Sequence, residues 1–190
     1  MFRIAAIIGI VGSLIIIALH LVMRSASKDE PEAPAPPCAL GKFQKLIYIL
    51  IYLAAAGSFA VLALTGFIAA IGWGGLMSGY LLMLHCTVAP VFCIALVALG
   101  CIWAERCRFT IQDWRHCESL CGKLCFWLTL LFAIPLIFSI VISMLPVFGT
   151  TGQEFFYHLH RWSALAIVIT GVLMIYLTVA SRSRICASKT

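Results

Sequence analysis

The chain has 190 residues, 63% of them hydrophobic and only 11% charged, with a mean hydropathy of +1.09 and a formal charge of +6. Soluble domains sit nearer half apolar and a quarter charged, so a purely soluble fold is excluded and lipid must solvate much of this surface. No basic stripe on a polar domain exists to carry nucleic acid, and nine cysteines in so apolar a chain do not read as a secreted disulfide scaffold.

Five apolar runs are long enough to cross about 30 Å of hydrocarbon. The first is Ile4–Met23. It has the outline of a signal peptide, but it is long for one, and cleavage would leave a basic linker outside. It reads as an uncleaved anchor. The Pro-rich stretch SASKDEPEAPAPP, Ser25–Pro37, follows as a linker. The second run is Leu46–Ile71 and the third Leu76–Trp103, with GWGG between them as a tight turn. The fourth is Leu124–Leu145 and the fifth Phe156–Ala180, separated by the polar loop Pro146–Glu154. None alternates with period two as a barrel strand would. In lipid each must satisfy its own backbone as a helix, so the fold class is an all-α integral membrane protein.

Lys and Arg placement sets the orientation. Arg24, Lys28, Lys42 and Lys45 lie around the first linker, Arg106, Arg108, Arg115 and Lys123 around the third-to-fourth connection, and Arg182, Arg184 and Lys189 in the tail. With five spans all three segments share one side, which reads as cytoplasmic. The N-terminus and the loop before His158 then face outward, as in a multi-pass protein of the bacterial inner membrane.

The five histidines are His20, His85, His116, His158 and His160. An ionisable group inside a span is costly and marks a functional site by default. His85 lies within the third run, and His158 and His160 open the fifth. Both runs are odd-numbered, so they point the same way and carry His85 and the HLH pair to similar depths from the outer face. Two imidazoles at one depth on different helices suit the two axial positions of a haem b iron. The face of His160 continues through Ala164, Ile167, Gly171 and Met174, where the small residues admit a flat macrocycle. Arg161 is placed for haem propionates. His158, two residues from His160, cannot face the same partner and reads as interfacial. His20, without an obvious partner in a span, reads as interfacial too, and His116 as a solvated loop residue.

The segments FAVLALTGF (Phe59–Phe67), MSGYLLMLH (Met77–His85), GKLCFWL (Gly122–Leu128) and HRWSALAIVITGVLMIYL (His160–Leu177) together resemble the cytochrome b (gamma) subunit of respiratory formate dehydrogenases. The wider family includes the b-type cytochromes of nickel-iron hydrogenases. The resemblance covers about Lys42 to Ala180. It implies a four-helix cytochrome b domain at 42–181, after an extra transmembrane helix at 1–24 and a linker at 25–41, with a basic tail at 182–190. It also implies electron transfer between an external redox partner and a quinone, menaquinone or ubiquinone. The family's outer haem ligands match His85 and His160. Its inner ligand positions fall on Tyr52 and Met174, neither of them His, so one haem is expected rather than two.

Cys107, Cys117, Cys121 and Cys125 gather in Arg106–Trp127 without a C-x2-C turn, so they read as thiols rather than a metal site. A transporter would show paired charges at mid-membrane, and the last four spans carry none. A haem-free membrane anchor for soluble subunits is the alternative reading.

Overall fold

The computed structural model describes residues 1–26, 42–72, 77–104, 107–109, 117–143, 145 and 148–187. Helix α1 spans Phe2–Ala26, α2 Lys42–Phe67, α3 Gly79–Trp103, α4 Cys117–Ser143 and α5 Thr150–Ala187, and α2 continues into a π-helical turn, Ile68–Gly72. The chain is all-α, with five helices long and apolar enough to cross a membrane and no strand among the described residues. Their outward faces carry bare aliphatic side chains such as Ile94, which is 72% exposed, as lipid-facing surfaces do. The linker at 27–41, residues 73–76 with most of the GWGG turn, Arg106 and the loop at 110–116 with His116 lie outside the described residues.

Helix boundaries differ from the sequence reading. Helix α4 begins at Cys117 rather than Leu124, and α5 at Thr150 rather than Phe156. Hydropathy marks where lipid ends, whereas a helix continues while backbone bonds can form. The polar residues of CESLCGK and TTGQE therefore stay helical in the interface, where Gln153 N–H already donates to the Gly149 carbonyl at 3.1 Å. Helix α3 begins at Gly79 rather than Leu76, behind the extended residue Ser78. Gly79 takes φ +59, which its missing side chain permits.

Hydroxyls inside the spans are satisfied locally. Ser58, Thr65, Thr87, Ser139 and Thr170 each donate to a carbonyl three or four residues back in their own helix, and Thr129 has the Cys125 carbonyl and the Thr170 hydroxyl within reach of its one proton. This removes the cost of an unpaired polar group in hydrocarbon. Pro90 in α3 and Pro135 in α4 stand inside helices, where each lacks the N–H that would close an i−4 bond.

The described helices form two compact units, α1 with α4 and α5, and α2 with the π turn and α3. In the first, α4 and α5 pack antiparallel: Thr129 meets Thr170, and Ser139 meets His160. Helix α1 runs parallel to α5. Phe2 packs edge-on against Trp162 at 5.4 Å, and His20 reaches Tyr176 near the other end. Between them Gly9 lets the helices close. A Cβ there would sit 2.9 Å from Ile169 Cδ1, and the neighbouring Ala6 is fully buried.

In the second unit α2 and α3 are also antiparallel. Tyr52 stacks on Trp103 at 6.4 Å, Phe59 meets Phe92 at 6.2 Å, and Thr65 meets His85. Ala55, Ala95 and Leu99 form the packed centre, with Ile51 and Trp103 against it. The two alanines permit the close helix approach that replaces hydrophobic driving force in a membrane.

Candidate functional site

His85 and His160 belong to different units, and each has its own surroundings. From Gly79 to His85 is about 9 Å of helix axis, shallower than a start at Leu76 implies, and from Thr150 to His160 about 15 Å.

In the α2–α3 unit, Nδ1 of half-buried His85 lies 2.7 Å from Thr65 Oγ1. Thr65 is 4% exposed, and its hydroxyl also reaches back to the Val61 carbonyl at 2.8 Å and the Leu62 carbonyl at 3.2 Å. A hydroxyl has one proton. If His85 carries its proton on Nδ1, the imidazole donates to Thr65 and Thr65 donates to its backbone, making two hydrogen bonds. If the proton is on Nε2, Thr65 must turn its own proton to Nδ1 and gives up the bond to its backbone. The first arrangement keeps that Thr65 backbone bond, worth about 1 kcal/mol net. Gly66 lies beside the ring. A Cβ there would stand 3.9 Å from both His85 Cε1 and Met77 Cε, in ordinary contact.

In the α1–α4–α5 unit, Nδ1 of half-buried His160 lies 3.3 Å from the Leu136 carbonyl and 3.4 Å from Ser139 Oγ. A carbonyl only accepts, so the proton of this long contact sits on Nδ1. Ser139 is 1% exposed and donates its own proton to the same carbonyl at 2.8 Å. Both imidazoles are thus oriented through Nδ1 by the neighbouring helix. That is how a metal-binding histidine is commonly held by its outer shell, with the opposite nitrogen turned to the metal.

His158 differs. Its side chain is 54% exposed, with Nε2 3.9 Å from Glu154 Oε1 one turn earlier. The two members of HLH therefore face different ways, as residues two apart on a helix must. Arg161 lies with its guanidinium 4.1 Å over the Phe2 ring and Nη1 3.4 Å from the Tyr157 hydroxyl. It is a cation–π contact to α1. Along the face of His160, Ala164 and Met174 are half-buried, Gly171 is buried and Ile167 is 2% exposed.

The sequence reading missed three partners. Thr65 and Ser139 are hydroxyls inside apolar runs, where a polar residue is itself a signal, but Ser58, Thr129 and Ser143 share those runs and the signal does not pick the partners out. His20 was read without a partner in a span. Its Nδ1 instead shares a 2.7 Å hydrogen bond with the Tyr176 hydroxyl, and the rings meet edge to face at 5.5 Å.

Among the described residues no three His, Cys, Asp or Glu side chains group to hold a metal ion. A haem iron takes four nitrogens from the porphyrin and asks the protein for axial ligands alone, a role that a single oriented imidazole such as His85 or His160 has the chemistry for. No protein-family model, no curated protein and no solved structure matches the chain.

Proposed function

We propose that the chain is a membrane-bound b-type cytochrome subunit of a respiratory complex. It holds one haem b through His85 and His160 and relays electrons between a periplasmic redox partner and the quinone pool. The observation that supports this is the shared setting of the two residues. Each is an intramembrane imidazole whose Nδ1 is engaged by the neighbouring helix, at Thr65 and at the Leu136 carbonyl, and a haem iron would take the opposite ring nitrogen, Nε2. The haem, when bound, supplies reversible one-electron chemistry at its iron. The chain's part is to orient the ligands, to line the macrocycle with the small residues Ala164 and Gly171, and to bring Arg161 to the propionates.

Membership of the formate dehydrogenase and hydrogenase cytochrome b family fits the order of the quoted segments. One haem is proposed because the second ligand pair of that family falls on Tyr52 and Met174, and Tyr52 stacks on Trp103. The N-terminus is proposed outside and the C-terminus in the cytoplasm of a bacterial inner membrane. Neighbouring subunits would supply the substrate chemistry.

The test is a reduced-minus-oxidised spectrum of the purified chain with pyridine haemochrome quantitation. About one haem b per chain is expected from the ligand count. Absence of haem from chain produced with haem supplied would leave the haem-free anchor as the function.

A further inference from the structure

We propose that Thr65 is a positioning residue that fixes His85 in its Nδ1–H tautomer and thereby sets how strongly Nε2 donates to a haem iron. This rests on the reading of His85 as a ligand. The geometry supports it in three ways. Thr65 is buried at 4% exposure and locked to its own helix by its bonds to Val61 and Leu62, so its acceptor lone pairs have a fixed direction. The 2.7 Å separation from Nδ1 is short, whereas the corresponding contact at His160 is 3.3 Å, so His85 is the more firmly oriented of the two. The run Nδ1–H to Thr65 to the Val61 carbonyl is continuous, and each bond polarises the next.

The consequence is electronic as well as steric. An imidazole donating from Nδ1 carries more negative charge on Nε2 and favours ferric over ferrous iron. A hydroxyl acceptor, being neutral, does this less than a carboxylate would. Removing it should therefore raise the midpoint potential. A threonine that merely filled space would leave that potential unchanged.

The test uses the full chain in lipid nanodiscs, with 15N-labelled histidine, first without haem. Wild-type His85, assigned by comparison with His85→Gln, should show a protonated Nδ1. Thr65→Val should shift the ring toward Nε2–H, and Thr65→Ser should keep the wild-type pattern. With haem, Thr65→Val should raise the midpoint potential and weaken haem retention about 10- to 100-fold, and Thr65→Ser should restore both. Thr65→Ala serves as a second acceptor-free variant should the valine not fold. A wild-type His85 protonated on Nε2 overturns the proposal without any variant. So does a Thr65→Val chain with wild-type tautomer and potential, or a Thr65→Ser chain that behaves like the valine. If the wild type binds no haem, the cytochrome reading falls, while the haem-free tautomer still decides the role of Thr65.

Discussion

Thr129 Oγ1 stands 3.0 Å from Thr170 Oγ1 across the α4–α5 seam, within reach of the same proton as the Cys125 carbonyl of its own helix at 2.7 Å, and the step along α4 from there to Ser139 equals the step along α5 back to His160. Two polar contacts thus fix one antiparallel register, with apolar packing between them. A slip of the seam would break both together, so the position of His160 depends on a threonine pair far from it.

Replacing Thr129 with Val removes the polar contact across the seam together with the Cys125 contact and leaves Thr170 its own bond to the Ala166 carbonyl. The expected loss is about 0.6 kcal/mol, the average for such bonds in membranes. Reversible unfolding of the chain in mixed detergent micelles measures it. No loss would show that the apolar contacts alone hold the register.

His20 and Tyr176 should couple. Both sit where α1 and α5 come together, and the bond between them is short. A double-mutant cycle with His20→Ala and Tyr176→Phe should give an interaction energy of about 0.5 to 2 kcal/mol. Additive single effects would mean that the contact contributes nothing to docking α1.

Gly9 should be the least replaceable residue of α1. A Cβ would stand 2.9 Å from Ile169 Cδ1 and 3.6 Å from Leu165 Cδ1. The flexible end of Ile169 can yield to Ala, but Leu would force the helices apart. With a protease site inserted between Ala26 and Lys42, cleaved wild-type α1 should copurify with the rest of the chain. Cleaved Gly9→Leu α1 should separate from it.

Gly66→Ala should leave folding within about 0.5 kcal/mol of wild type, because the added methyl meets His85 Cε1 and Met77 Cε only at 3.9 Å. It therefore serves as a probe. A loss or shift of the haem spectrum without a loss of stability would report the macrocycle against this face. Loss of stability would contradict the packing described for the α2–α3 unit.

The number and order of the helices were legible in the sequence because lipid imposes one rule on every span, and within one unit the odd-numbered α1 and α5 are expected to point the same way. Parallel α1 and α5 follow from that. Helix ends were less legible. Cys117–Lys123 and Thr150–Glu154 are polar but helical, since hydropathy reports the solvent and not the backbone. The histidines were legible as anomalies in apolar runs. Their partners were not: Thr65 and Ser139 acquire meaning only through the register of two helices, and Tyr176 lies 156 residues from His20. The difference between His158 and His160 was read from spacing alone, and it matches an exposed ring for the first and a half-buried ring for the second.

The central claim, that one haem b is held by His85 and His160, is tested most directly by haem content per chain across three single variants. Membranes containing the wild type, His85→Ala, His160→Ala and His158→Ala are extracted and quantified as pyridine haemochrome at equal protein. The account predicts loss of haem from the first two variants and wild-type content in His158→Ala. Full haem content in either His85→Ala or His160→Ala, or its loss in His158→Ala, would contradict it.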